Sequence, residues 1–212
     1  MSTEEEEPQP YTFTLADGST LEGSENYTGQ ATAGYENGDQ YVGGFVSGLR
    51  EGSGVYTWKS GATYSGTYVC NSRSGRGKLS YPDGSWFDGI FADGQRSFGT
   101  VRYANGDAYH GGFVGGLRHG EDGVYIFQIS KSRLIGSWAH GAIVHGVWKL
   151  HSGQTWAGDF VLNKPSGPGA WKLQHNKVDG VYSVHKAPID FAPDDLNAPP
   201  TQVTAIWKTN TN

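Results

Sequence analysis

Four arginines recur at one phase of this sequence and are its most regular set of chemically active side chains. They are Arg50, Arg73, Arg96 and Arg118. Their spacing predicts a row of guanidinium groups at the tips of successive structural units. Two interpretations remain open: a ladder that docks an acidic protein surface or anionic lipid headgroups, or solvated loop charges that discourage sheet edges from pairing.

Catalysis and metal binding find little support in the residue pattern. His140, His145 and His151 lie in different parts of one sequence segment, with no Asp/Glu cluster beside them. The chain contains no G-x-S-x-G elbow, and its GRG and GPG stretches lack the Lys-Ser/Thr of a phosphate-binding loop. We therefore expect no enzyme activity, no cofactor and no metal site.

Composition and charge narrow the class of protein. The single Cys70 cannot form an intrachain disulfide, and the first residues lack the basic and apolar regions of a secretory signal. Acidic residues dominate the two ends of the chain, whereas the region between them is near neutral. These features predict a cytoplasmic or cytoskeletal protein that does not bind nucleic acid.

A repeat with a period of about 23 residues organises most of the chain. YVGGFVSGLREGSGVYTWKSGAT, beginning at Tyr41, is followed by YSGTYVCNSRSGRGKLSYPDGSW, beginning at Tyr64. Each copy has an aromatic residue, a glycine two positions later and a second aromatic two positions after that. Further copies begin near residues 21, 87, 109, 134 and 156, with a partial copy at 178. An insertion in the fourth full-length copy predicts a kink or bulge near residues 127–133.

The spacing within a copy predicts β-hairpins. Tyr41, Gly43 and Phe45 alternate with period 2 and so share one face of a strand. Rings on that face can cover glycines on the facing strand. Rings on either side of a turn glycine, such as Trp58 and Tyr64 about Gly61, are expected to face one another. The predicted fold is all-β: an elongated, solenoid-like, single-layer antiparallel sheet of about seven tandem hairpins.

Eleven residues form the predicted aromatic face. Its members are Tyr41, Phe45, Tyr64, Tyr68, Phe87, Phe91, Tyr109, Phe113, Trp138, Trp156 and Phe160. Because they follow the repeat phase, they are expected to pack the sheet. A single-layer sheet has no second layer, so part of this face is also a candidate open groove for a peptide or helix.

The repeat divides the chain into three regions. Residues 1–20 are expected to be an acidic tail and a capping segment, residues 21–184 the repeat array, and residues 185–212 a C-terminal tail. The segments before residue 20 and after residue 178 are the candidate caps, because end strands need covers.

The pattern Y-x-G-x-[FYW]-x-x-G-x-x-x-G-x-G, followed by an aromatic residue and a D/N-G turn, resembles the MORN repeat. The insertion in the fourth full-length copy, NKPSGPGAWKL at 163–173 and the tail PPTQVTAIWK make the chain most similar to the radial spoke head MORN proteins of cilia and flagella. That resemblance implies a structural subunit of the axoneme, bound to other spoke head proteins and to a second MORN chain. The alternative is a membrane-surface adaptor that binds acidic phospholipids.

Overall fold

The computed structural model describes residues 10–186 and 203–209 and divides into two units, residues 1–106 and 107–212. Within the described residues every regular element is a β-strand. The first nine residues, with the acidic run at 4–7, and most of the predicted C-terminal tail lie outside the described residues.

The described residues of the first unit, 10–106, form nine strands. They are β1 (Pro10–Leu15), β2 (Thr20–Leu21), β3 (Gly29–Tyr35), β4 (Gln40–Val46), β5 (Leu49–Thr57), β6 (Thr63–Val69), β7 (Ser72–Ser80), β8 (Trp86–Ala92) and β9 (Gln95–Arg102). Strand β1 pairs with both β2 and β3, and from β3 onward each strand pairs antiparallel with the next. The proposed N-terminal cap thus contains a strand that adds to the array.

The second unit forms eight strands within its described residues, 107–186 and 203–209. They are β10 (Ala108–Val114), β11 (Leu117–Ile126), β12 (Arg133–Ala139), β13 (Ala142–Lys149), β14 (Thr155–Val161), β15 (Lys164–Lys172), β16 (Lys177–Lys186) and β17 (Val203–Thr209). Each pairs antiparallel with the next in chain order. Residues 203–209, expected to be tail, form the strand β17 on β16. The predicted all-β antiparallel hairpin fold is confirmed in each unit.

Two kinds of turn alternate along the chain. Within each copy, two residues with positive φ join the strands, as at Ser47 (φ 49°) and Gly48 (φ 84°). This is the type I′ geometry, whose twist suits a tight hairpin. Between copies a longer turn uses one glycine with positive φ, at Gly61, Gly106 and Gly153 as predicted.

Two local expectations were wrong. The insertion near residues 127–133 only lengthens a turn: Ile126 and Arg133 are cross-strand partners on either side of it, and Phe127 N donates to Ser132 O at 3.0 Å. Trp58 does not face Tyr64, because β5 ends at Thr57 and Tyr56 takes the position opposite Tyr64. Trp58 lies in the turn and packs on Tyr56.

Candidate functional site

In the copies that begin at 41, 64, 87, 109 and 156, the first aromatic residue lies across two glycines on paired strands. Tyr41 is fully buried, and a Cβ added at Gly43 or Gly54 would clash with its ring. Phe87 lies in the same way over Gly99, where an added Cβ would be 2.9 Å from the ring. Glycine is required here by the close approach of the ring, so the predicted covering of glycines by rings is confirmed.

In the same five copies, the second aromatic residue stands edge-on to the first. The Tyr41 and Phe45 ring centroids are 5.2 Å apart at 88°, and Tyr41 meets Tyr68 of the next copy at 5.2 Å and 81°. Trp156 and Phe160 repeat the pattern at 5.0 Å and 86°. Edge-to-face contacts of this kind stabilise by about 0.5–1.5 kcal/mol beyond the area that they bury. We call the set of these rings within each unit the ring stack.

The ring stack fills the space in which we expected a groove. All eleven predicted residues are buried, the most exposed being Phe113 at 6%. The glycine backbone, the neighbouring rings and, in the copies that carry them, the arginines cover these residues, so the eleven rings themselves form no open groove. The aromatic face holds the hairpins together and offers little surface to a partner.

The arginines fold over the ring stack instead of lining an exposed edge. Arg50 is only 7% exposed, and its guanidinium carbon lies 5.3 Å from the centroids of the Tyr56 and Tyr68 rings. One guanidinium nitrogen donates to the Asn71 carbonyl of the next copy at 3.2 Å. The position at the hairpin tip agrees with the sequence, but the expected solvent exposure of Arg50 was wrong.

Arg73 and Arg118 are half-buried and make the same kind of contact. We call it the arginine clasp: the guanidinium lies against the rings and donates to a turn carbonyl of the next copy. Arg73 donates to the Gly94 carbonyl at 2.7 Å, and Arg118 Nε donates to the Gly141 carbonyl at 3.0 Å. Arg96, also half-buried, has its guanidinium carbon 5.7 Å from the Phe87 ring centroid. These contacts give the arginine row an internal role between consecutive hairpins. Docking of a partner by the same side chains stays a prediction.

Two aspartates join consecutive copies at the opposite end of the hairpins, and sequence reasoning missed them. Asp39 accepts hydrogen bonds from Tyr56 Oη at 2.7 Å and Lys59 N at 2.8 Å. Asp107 accepts the equivalent bonds from Tyr125 Oη and Gln128 N, both at 2.8 Å. The signal available was an aspartate two positions before the first aromatic residue of two copies.

The electrostatics of these contacts follow from burial and hydrogen bonding. Burial alone would raise the pKa of Asp39, but hydrogen bonds from Lys59, Tyr56 and Asn37 outweigh it and lower the pKa. Burial raises the pKa of Tyr41 to about 12. The ring stack therefore keeps its hydroxyls neutral, and the aspartate keeps its charge.

The opposite side of the second unit, which we call the outer face, carries two parallel rows of side chains. The outer apolar row runs across five paired strands and consists of Val124, Ile135, Val147, Ala157 and Ala170. The outer basic row lies beside it and consists of Arg133, Lys149, Lys172 and Lys177. Thr155 lies between Lys149 and Lys172. All four cations are exposed.

Like charges stand directly opposite each other in the outer basic row. Arg133 is the cross-strand partner of Lys149, and Lys172 is the partner of Lys177. Such pairs destabilise a sheet. Lys177 relieves part of this by pairing with Asp179 at 2.9 Å. The remaining positive charge makes this face a candidate site for an anionic partner.

The structure also bears on the histidines, on metal binding and on membrane spans. His145 pairs with Asp159 at 2.6 Å on the exposed surface. No group of three or more metal-ligating side chains occurs within residues 10–186 and 203–209. In the same residues, no helix is long and apolar enough to span a bilayer.

Comparison with known proteins identifies the repeat. The MORN repeat model matches residues 41–63, 64–86 and 109–128. The chain contains MORN repeats. A search of curated proteins returned no match. Among solved structures, the chain is similar to the TCP domain of SAS-4 (dCPAP) in complex with a proline-rich motif of Ana2 (dSTIL) of Drosophila melanogaster, at 16% identity and a TM-score of 0.47, over 79% of this chain and 86% of that chain.

The three matched MORN repeats carry Arg50, Arg73 and Arg118. The copies at 134 and 156 lie outside the match and have Ile143 and Pro165 at the arginine position, opposite Trp138 and Phe160. They keep the hairpin geometry and lose the clasp.

A cavity of about 220 Å³ lies beside this departure from the MORN pattern. Its lining residues are Phe127, Ser130, Ser132, Leu134, Trp148, Phe160, Asn163, Lys164 and Pro165. It is mostly apolar, with two serines and an asparagine at its border.

Proposed function

We propose that this chain is a non-enzymatic scaffold subunit of the axonemal radial spoke head, which docks other proteins through the outer face of its second unit. MORN repeats indicate a repeat-based binding role. The fourth-copy insertion, the NKPSGPGAWKL segment and the PPTQVTAIWK tail support the spoke head assignment by resemblance.

The observation that carries this proposal is the division of labour between the two faces of the sheet. The rings of the ring stack and the arginines pack against one another between hairpins, so the outer face offers the larger exposed surface for partners. There the exposed cations Arg133, Lys149 and Lys172 make no side-chain hydrogen bond or ion pair with any described residue. An acidic protein surface would relieve their mutual repulsion and cover the adjacent apolar row.

The test is charge reversal on the outer face. A tagged chain carrying Lys149→Glu and Lys172→Glu is expected to recover fewer axonemal proteins from extracts of flagellated cells than the unaltered chain. A matched control carries Lys59→Glu and Arg76→Glu, two exposed cations of the first unit, and is expected to recover them normally. Equal recovery by both variants would remove the outer face from the proposal.

The spoke head assignment has a separate test. Imaging the tagged chain in flagellated cells before and after detergent extraction is expected to show it retained in the axoneme. Loss of the signal with the membrane would contradict the assignment.

Membrane-surface binding is the second candidate, and one observation favours it. Ile129 is 95% exposed in the turn that precedes Arg133, the first cation of the outer basic row. Each cation near an anionic bilayer contributes only about 1 kcal/mol, so four of them bind weakly without a deeper anchor. We therefore rank it below protein docking.

Sedimentation with anionic and neutral vesicles at physiological salt separates the two functions. Docking to proteins predicts little sedimentation with either vesicle. Strong sedimentation with anionic vesicles alone, lost in the Lys149→Glu, Lys172→Glu variant, would establish the membrane role instead.

A further inference from the structure

One position of the repeat is filled by arginine in some copies and left open in another. In the copy at 41, the Arg50 guanidinium lies near the Tyr41, Tyr56 and Tyr68 rings. It donates to the carbonyl of Asn71, the second residue of the next tight turn. Arg118 makes the same contacts with Tyr109, Tyr125 and Trp138 and with the turn residue Gly141.

The register gives the equivalent residues in the copy at 134. Leu134 corresponds to Tyr41, Trp148 to Tyr56 and Phe160 to Tyr68, because Leu134 pairs with Trp148 as Tyr41 pairs with Tyr56. Ile143 stands at the position of Arg50. Its amide donates to Asn163 Oδ1 at 3.1 Å, as the Arg50 amide donates to Asn71 Oδ1 at 2.7 Å.

These equivalent residues line the cavity of about 220 Å³. Leu134, Trp148, Phe160 and Asn163 all border it, so the open space lies where the chain places a guanidinium in other copies. Sites that enclose whole small molecules usually measure roughly 300–1,000 Å³. This cavity is smaller and suits a single side chain.

The Trp148 ring lies in the cavity wall, so its indole N–H resonance can report on an occupant. Trp148 Nε1 is buried and has no hydrogen-bond partner among the described residues. A buried donor left unpaired costs about 1–3 kcal/mol.

We propose that this cavity receives an arginine side chain from a partner protein, which completes in trans the clasp that Arg50 and Arg118 make within the chain. The inference rests on the proposed scaffold role and adds a contact on the ring-stack side of the sheet, opposite the outer face. The arginine stacks between Leu134, Trp148 and Phe160, and its guanidinium donates to the turn at Asn163.

The absence of an acid at this site does not oppose an arginine. Ser132 occupies the place that Asp39 and Asp107 hold in the two copies described above. Arg73 shows that an acid is unnecessary, because Ala62 stands at that place in its copy. Arg73 is held by the Trp58, Tyr64 and Phe91 rings and by the Gly94 carbonyl. Lys164 borders the cavity but is exposed, so its charge is screened by solvent.

The experiment uses the full ¹⁵N-labelled chain and follows its indole N–H resonances by NMR. The Trp148 signal is assigned by its loss in Trp148→Phe. Acetyl-Gly-Arg-Gly-amide is expected to shift the Trp148 resonance in a saturable manner. The matched citrulline peptide, which is neutral and nearly the same shape, is expected to bind at least fivefold more weakly. Equal responses to both peptides, or no response at Trp148, would overturn the proposal.

Two variants test the site from within. Ile143→Arg is expected to shift the Trp148 resonance without peptide and to abolish the peptide response, because its own arginine fills the cavity. Phe160→Leu keeps an apolar residue of similar volume but removes a ring, and is expected to weaken the arginine response at least threefold. An undiminished arginine response in a folded Phe160→Leu variant would contradict the proposed stacking.

Failure of this inference can be told apart from failure of the proposed function. If axonemal proteins bind Ile143→Arg as well as they bind the unaltered chain, the cavity is unused and the scaffold role stands. If neither chain recovers them, the scaffold role itself fails.

Discussion

Arg50 illustrates how a charged residue can serve as a packing element. Its guanidinium is desolvated among three rings, where each cation–π contact contributes about 1–2 kcal/mol, and it caps a carbonyl of the next hairpin. A hydrated ammonium could not stack in this way. The arginines therefore recur at one position of the repeat because each packs against the rings, and no ligand is needed to explain their spacing.

Replacement of Arg50 by methionine is expected to lower the free energy of unfolding by about 2–4 kcal/mol, because the cation–π contacts and the bond to Asn71 are lost. Urea denaturation followed by tryptophan fluorescence measures the change. Arg76→Met, at an exposed position, is the control and is expected to change stability by less than about 0.5 kcal/mol. Similar values for both variants would show that the clasp contributes nothing.

The raised pKa of Tyr41 predicts that the protein loses stability at alkaline pH. Its pKa is about 12 in the fold and roughly 10 in the unfolded chain, so the fold favours the protonated hydroxyl. Stability is fully present below pH 10 and falls as the pH rises towards 12, by up to about 1.4 kcal/mol per pH unit from this group. Tyr41→Phe, which also loses the bond to the Gly44 carbonyl, is expected to show a shallower fall between pH 10 and 12 in thermal unfolding. An unchanged slope would contradict the assignment.

At the scale of the hairpin, the glycines that underlie a ring differ from those that only shape a turn. Gly54→Ala places a methyl group against the Tyr41 ring and is expected to destabilise the protein by about 2–4 kcal/mol through overpacking. Gly23 has open space around its added Cβ and an ordinary φ, so Gly23→Ala is expected to be neutral. Thermal unfolding of the two variants measures the difference, and comparable melting temperatures would refute the ring-over-glycine account.

The hairpins also show what the sequence could and could not predict. Alternation with period 2 placed Tyr41, Gly43 and Phe45 on one face, and the turn glycines were assigned correctly. Trp58 was misplaced because strand ends depend on hydrogen bonds that the pattern does not contain. The outer face required the register, which shifts between Gly43 and Phe45 and at equivalent points in other copies. A shift of one residue would exchange the two faces, so parity alone cannot assign residues beyond it.

The direction of the arginine side chains was the other feature that the sequence could not predict. The phase gave the strand position of Arg73 and Arg118, but a long flexible side chain at a hairpin tip can lie along the rings or extend into solvent. Only the position of the neighbouring turn carbonyl decides between these. The sequence could not predict the cavity beside Trp148 either, because the cavity depends on the replacement of the repeat's arginine by Ile143.

Across the whole molecule, each sheet must end in a strand with unpaired backbone groups. In the second unit β17 covers β16 through seven residue pairs, and the Trp207 ring packs on Tyr182 at 4.8 Å. Removal of residues 203–212 is expected to expose the β16 edge and promote aggregation. Size-exclusion chromatography and light scattering measure the effect, with removal of residues 210–212 as the control. A monomeric, equally stable truncated chain would show that β17 is dispensable.

The clasps between hairpins join residues close together in sequence: Arg50 reaches Asn71, Asp39 reaches Lys59 and Arg118 reaches Gly141. Chains whose contacts are local close only short loops as they fold. Folding can then start from any adjacent pair of hairpins, and the folded region extends by one neighbouring hairpin at a time. A β protein of this design is expected to fold faster than a sandwich of the same length, with its folding rate limited by the first pair of hairpins.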